Sequence, residues 1–536
     1  MHRPPPPTCP SLPRRRALTQ ALSLGALAVA GCGGGGSGGG PNASPPGVPP
    51  APGVDGPAWW GFGRDVQHAA NGAVATQDLN RVVWSTPVDL APQYRANGAL
   101  LIHYGSPAVT TRNTVILPVK TGAAGGFRIE ARSGGNGGLI WSADSDYVLP
   151  AHNWVPSYNL ALTQNNRLVA PGAGGKLHVR DNADAAAGTL QTVVFYGASA
   201  YAAAPAQFDT TIFINTPVVV DTQGNVFFGF IATGANPAGL VSGLARIGAD
   251  GVGSWVSAAA AAGDNNIVKV AMNSAPALSN DLATVYVAVN AAAVNGVVQA
   301  GYLVALDART LAVRNRVPLL DPGAGTAARV SDNATSSPTV GPDGKVYFGV
   351  LEAVYGSNNA RGWLLQFTAA LAPSGAPGAF GWDNTASIVP ASMVTSYAGA
   401  SPYLLMVKYN NYLGAGTGNG VNRIAVIDPG ASQVDTISGR TVMREVLTIA
   451  GLTFETGSTT AVREWCINTA AVDPLTSSVL VNNEDGHLYR WDLRSNSFTQ
   501  RLRLTTGIGQ AYTPTLVGAD GAVYAINDAV LYRVGR

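Results

Sequence analysis

Ser336-Ser337-Pro338 runs straight into TVGPDGKVYFGV at residues 339–350, and this stretch decides the fold. Val340, Val346, Phe348 and Val350 alternate with smaller or polar residues, the period of a pleated strand with one buried face. Asp343-Gly344 between the two runs supplies the positive φ angle that a tight hairpin needs. Pro338 stands where a strand begins, so its missing N–H costs the ladder little.

The pattern recurs through the chain. Gly105-Ser106-Pro107 leads into AVTTRNTVILPV, and Val155-Pro156 into SYNLALTQNNRLVAPG. Asn215-Thr216-Pro217 leads into VVVDTQGNVFFGF, Asn273-Ser274-Ala275-Pro276 into ALSNDLATVYVAV, and Tyr512-Thr513-Pro514 into TLVGADGAVYAI. Two weaker copies are Ser401-Pro402 with YLLMVKY and Asn468-Thr469-Ala470 with AVDPLTSSVLVNN. Third strands follow, such as Tyr302–Asp307, Asn422–Asp428 and His487–Asp492, and a fourth, Ala312–Val317, closes its unit. Four antiparallel strands per repeat make a propeller blade. Anchors at 107, 156, 217, 276, 338, 402, 470 and 514 give eight blades. The last unit is short, and the spare strand Arg81–Thr86 is expected to close the ring as its outer strand. The fold class is therefore all-β: an eight-bladed β-propeller of four-stranded blades, closed by an N-terminal strand. No segment carries sustained helical periodicity, which argues against an α/β fold; a β-helix is the structural alternative.

Composition agrees. The chain has 536 residues, 46% hydrophobic and 12% charged, which excludes a disordered chain. Gly, at 65 residues, suits many turns. With 33 Lys+Arg against 31 Asp+Glu there is no basic field for nucleic acid.

Residues 1–31 read as an export signal, with Arg14-Arg15-Arg16 followed by the apolar run Ala17–Ala30. Val29-Ala30-Gly31-Cys32 resembles a bacterial lipobox, which implies lipidation at Cys32. Removing that signal takes four arginines and no acid, leaving 29 basic against 31 acidic residues and a formal charge of −2. Residues 32–57 are a Gly/Pro/Ser-rich tether and 58–536 the propeller. The expected location is the cell envelope, at the outer membrane facing the periplasm. The expected partners are the membrane, through the lipid, and an envelope protein, the propeller itself being a monomer. Cys466 is the one thiol left beside Cys32, so no intramolecular disulfide can form.

Trp60-Gly61-Phe62-Gly63-Arg64-Asp65-Val66-Gln67-His68, together with the Ser-Pro-Thr-Val…Asp-Gly-Lys-Val-Tyr-Phe-Gly repeats and Leu303-Val304-Ala305-Leu306-Asp307, resembles the quinoprotein-like (pyrroloquinoline-quinone-like) β-propellers over residues 58–536. That resemblance implies either a cofactor-dependent alcohol dehydrogenase or a non-catalytic lipoprotein like the propeller of the β-barrel assembly machinery. The layout here, anchor, tether and eight blades, is similar to the second. The enzymes carry a vicinal cysteine pair, a catalytic Asp with a Glu/Asn/Asp calcium set, and often a Cys-x-x-Cys-His haem motif. Cys466 alone cannot form the pair, the haem motif is absent, and the Asp and calcium set have no residue-by-residue match. The expectation is a non-catalytic interaction module without cofactor. A divergent dehydrogenase using pyrroloquinoline quinone and Ca²⁺, or a carbohydrate-binding propeller, is the alternative.

Loops leading into innermost strands face the central channel. Candidate ligand residues there are His152, Asn153, Trp154, Asn215, Asn273, Asp332, Asn333, Glu464, Trp465 and Tyr512, with the three aromatics as stacking surfaces. The competing reading is that each Asn caps its own loop, and repetition across blades favours it. Glu464, Arg463 and Asp332 would form an acid/base site if they converged. The histidines show no metal-ligand spacing. Trp59, Trp60 and Phe62 are expected to plug or cap the end of the barrel.

Overall fold

A computed structural model describes residues 56–93, 104–123, 125–150, 158–293, 300–332, 336–467, 469–505 and 515–536. The expected export signal, Cys32 and nearly all of the expected tether lie outside these residues.

Eight antiparallel sheets follow one another along the chain. Each begins with a short innermost strand: Ala108–Val109, Ala161–Leu162, Val219–Val220, Ala277–Leu278, Thr339–Val340, Ser387–Pro390, Ala471–Asp473 and Leu516–Val517. In blades 3 and 4 this strand is split in two, by Asn215-Thr216-Pro217 and by the segment ending at Pro276. The hairpin glycines adopt the conformation the sequence required: Gly224, Gly344 and Gly521 have φ of +86°, +82° and +79°. Apolar clusters fill the spaces between neighbouring blades; one joins strands of blades 6 and 7 through Leu404, Met406, Val472, Val479 and Trp491.

The ring closes as the sequence implied. Arg81–Pro87 pairs antiparallel with Val530–Gly535 as the outermost strand of blade 8. Arg81–Pro87 and the strands of residues 516–535 thus share one sheet, which ties the two ends of the ring together.

Two details depart from the repeat. Pro402 does not mark the innermost strand of blade 6. That strand is Ser387–Pro390, after Thr385-Ala386, and Tyr403–Tyr409 is the second strand. Blade 5 has three strands, Thr339–Val340, Val346–Val350 and Trp363–Phe367, rather than four. Its fourth position is taken by ALAPSGAPG (370–378), whose prolines and glycines break a strand; only isolated bridges, Leu364 to Gly378 and Phe367 to Pro373, remain.

The segment from Trp59 to Gly72 fills one end of the channel. Its carbonyls accept, in order, from the second residue of successive innermost strands. Trp59 O takes Val109 N–H (2.8 Å), Trp60 O takes Leu162 (2.7 Å), and Val66 O takes Leu278 (2.8 Å). Gln67 O takes Val340 (2.9 Å), Ala69 O takes Ile388 (3.0 Å), and Ala70 O takes Val472 (2.9 Å). Six blades therefore have inward-facing donors satisfied by one strap of chain, which an empty channel would leave to water. Trp59 is fully buried, and Phe62 packs with Val66, Val219 and Phe227 of the blade 3–4 core. The tryptophan-rich segment is a plug.

Candidate functional site

The described candidate residues lie in or beside the segments that lead into innermost strands. Asn215 Nδ2 donates to Val270 O (2.8 Å), and Asn273 N donates to Asn215 O (2.9 Å), so blade 3 is tied to blade 4. Asn273 has φ of +64°, a backbone position Asn tolerates better than most residues. Asp332 receives Lys269 Nζ at 2.7 and 2.8 Å, Asn290 Nδ2 at 2.9 Å and Met272 N at 3.2 Å. Trp465 is fully buried against Tyr489 and Phe498, ring centroids 5.5 and 5.8 Å away, and its backbone N–H donates to Asn410 Oδ1 (3.3 Å). Glu464, beside it, is half-buried. Arg463 pairs with Glu455 (2.7 Å) while Asp332 pairs with Lys269, so these two charges are held by other partners. His152, Asn153, Trp154, Asn333, Tyr512 and Cys32 lie outside the described residues.

The same bonding continues around the ring. Ser106 N donates to Asn159 Oδ1 (2.8 Å), Ala275 N to Ser337 Oγ (2.9 Å), and Ser337 N to Thr385 Oγ1 (2.9 Å). Ser387 Oγ donates to Ala470 O (2.7 Å), and Asn527 Nδ2 to Asn482 Oδ1 (3.0 Å). These short polar side chains form an inter-blade collar. They satisfy backbone groups that would otherwise be buried without partners.

Several charged groups here had no sequence signal. Lys176 Nζ lies 2.6 Å from both Asp146 Oδ2 and Tyr201 Oη, and 3.4 Å from Asp209. His178 Nε2 lies 2.7 Å from Asp146 Oδ1. Burial works against the Asp146 charge, but the bonds from His178 and Lys176 outweigh it and hold the carboxyl well below the usual range. Burial likewise opposes the Lys176 charge, and Asp146 and Tyr201 raise its pKa in spite of it. Lys120 meets Asp89 at 3.2 Å, with Tyr104 Oη donating to the same carboxylate (3.0 Å). Arg361 meets Asp435 at 2.5 Å, both buried. These partners stand 15 to 74 residues apart in the chain, so no local motif could reveal them.

Among the described residues, no three His, Cys, Asp or Glu side chains come together as a metal site. Cys466 is buried and forms no disulfide among the described residues. The residues described thus offer no carboxylate set for Ca²⁺ and no cysteine pair over a quinone, and no chemistry is routed through either group.

Comparison with known proteins adds the fold. A europium-containing methanol dehydrogenase superimposes with a TM-score of 0.53 at 10% identity, over 88% of this chain and 89% of that one. A quinohemoprotein alcohol dehydrogenase from Comamonas testosteroni gives 0.51 at 11%, over 89% and 81%. BamB from Moraxella catarrhalis overlaps more loosely, with 0.42 at 13%, over 85% and 97%. No protein-family model matches the sequence, and no curated protein does. The chain is an eight-bladed β-propeller, the architecture it shares with these two dehydrogenases. At these identities the likeness concerns architecture alone, and a fold does not by itself assign an activity.

Proposed function

We propose that the protein is a non-catalytic, lipid-anchored propeller of the bacterial cell envelope that serves as an interaction module. It acts without cofactor, as a monomer. Its lipid on Cys32 holds it to the outer membrane on the periplasmic side, and its partner is another envelope protein. The observation that carries this reading is the collar. Asn215, Asn273 and Asp332, the described residues best placed to meet a ligand, are committed to holding blades together. A rigid ring with bonded polar groups is suited to presenting a surface. Among the described residues, no helix is long and apolar enough to cross a membrane.

The test is fractionation of cells expressing the wild type and Cys32→Ala, combined with crosslinking in the envelope. The wild type is expected in the membrane fraction, crosslinked to a reproducible protein, and the variant in the soluble fraction. A variant that stays membrane-bound contradicts the anchor. A wild type that crosslinks to nothing reproducible contradicts the scaffold role.

A further inference from the structure

Blade 5 lacks a fourth strand, and a hairpin of blade 6 bends across to cover the gap. Met443 N donates to Pro377 O (2.8 Å), Gln366 Nε2 to Pro429 O (3.3 Å), and Arg440 to Gly323 O. Arg361 of blade 5 clamps Asp435 at the hairpin's turn. Between this hairpin and the loop after Tyr403–Tyr409 lies a cavity of about 220 Å³.

Its floor is satisfied. Arg361 and Asp435 neutralise each other, and Tyr409 Oη donates to Glu445 Oε1 (2.9 Å). Its rim is not. Arg423 is exposed, makes one long contact, 3.5 Å to Thr448 Oγ1, and has no ion pair among the described residues. Glu445 has its second oxygen unbonded, although both residues line the same cavity. Asn411 Nδ2 donates to Asn419 Oδ1 (2.8 Å), which leaves the Asn419 amide nitrogen open. The two arginines balance the two carboxylates, so the cavity carries no net charge. It offers free donors (Arg423, Asn419) and a free acceptor (Glu445) beside the apolar side chain of Ile437.

We propose that this cavity binds a neutral, monosaccharide-sized saccharide unit. A sugar hydroxyl both donates and accepts, which matches open donors and acceptors interleaved on one rim. Planar amide, guanidinium and carboxylate groups can each engage two neighbouring hydroxyls, and Ile437 can cover a ring's C–H face. The volume is below that of drug-sized pockets and suits one ring rather than a chain. This site goes beyond the scaffold reading, which stands or falls without it.

The test is saturation-transfer NMR and calorimetry on the detergent-purified full chain. The probes are glucose, galactose, mannose, N-acetylglucosamine and glycerol, with glycine and glucuronate as charged comparators. Saturation transfer to at least one neutral sugar is expected. Arg423→Ala and Glu445→Gln should each weaken it about tenfold, as loss of a hydrogen bond to a charged group does. Arg423 has almost no partner to lose, and Glu445→Gln can keep the Tyr409 bond, so both variants should fold. Arg444→Ala, which pairs with Asp428 elsewhere on the blade, should leave binding unchanged. Binding of glycine or glucuronate in preference to every neutral sugar overturns the proposal. So does an absence of transfer to all neutral probes at millimolar concentration, or binding indifferent to Arg423→Ala and Glu445→Gln.

Discussion

Acidification to pH 4.5 should loosen the channel plug through His68. This imidazole is completely buried; its Nδ1–H donates to Pro338 O (2.6 Å), and its Nε2 has no hydrogen-bond partner. Phe62 packs edge-on against it at 5.0 Å. Burial lowers its pKa to about 4, against small opposing effects of the Pro338 bond and the Asp65 charge. In the unfolded chain it titrates near 6.5. Between these values the unfolded chain holds a proton that the folded one excludes, so stability rises with pH and falls on acidification. The separation of about 2.5 pH units corresponds to roughly 3 kcal/mol in full, of which about 2.5 is lost by pH 4.5. The carboxylates held low, such as Asp146 and Asp435, lose their contribution only below the ordinary Asp value near 3.8, so they leave this window to His68. The assay is urea unfolding at pH 7.0 and 4.5, with hydrogen exchange on peptides covering residues 59–72. His68→Asn is the control, because Asn tolerates the φ of +60° at this position and does not titrate. The variant should be less stable than the wild type at pH 7.0 but nearly flat between the two pH values. Equal pH dependence in the two proteins would refute the reasoning.

Other consequences are simpler to read. Arg361→Ala strands the buried Asp435 carboxylate and should cost about 3–5 kcal/mol, with protease cutting first near residues 435–440; Arg361→Met with Asp435→Leu should recover most of the loss. Trp59→Ala empties a fully buried site in the plug and should cost about 3–5 kcal/mol, measured by denaturant midpoint. Asn215→Ala removes the donor to Val270 O between blades 3 and 4 and should cost about 1 kcal/mol, with faster exchange of the Asn273 amide.

The blade count, the closing strand and the plug were all legible, because each rests on a local signal. Alternation, Asp-Gly or Gln-Gly turns and a Pro at the strand start are read within a dozen residues. Blade 6 shows where such reading slips. Its innermost strand starts at Ser387 without a Pro, while the detour at 391–402 happens to end in Ser401-Pro402 before the second strand. The sequence signal was real but belonged to another strand. The gap in blade 5 follows from Pro373, Pro377 and two glycines, a breaker pattern visible in advance. The hairpin that covers it was not visible, since the Arg361–Asp435 clamp spans 74 residues. The candidate site divides in the same way. Recurring Asn near the anchors was legible, and Asn215 and Asn273 prove to bond neighbouring blades. Asp146 and Lys176 are brought together by the docking of blade 2 on blade 1, and Arg423 and Glu445 by the hairpin of blade 6.

The most direct measurement for the non-catalytic reading is thermal melting of the purified protein during titration with pyrroloquinoline quinone and Ca²⁺. A ligand of the native state must stabilise it, by about 2.7 kcal/mol at a hundredfold excess over Kd. The account predicts an unchanged melting curve at every concentration. A saturable rise in melting temperature, accompanied by dye-linked oxidation of any alcohol, would contradict it.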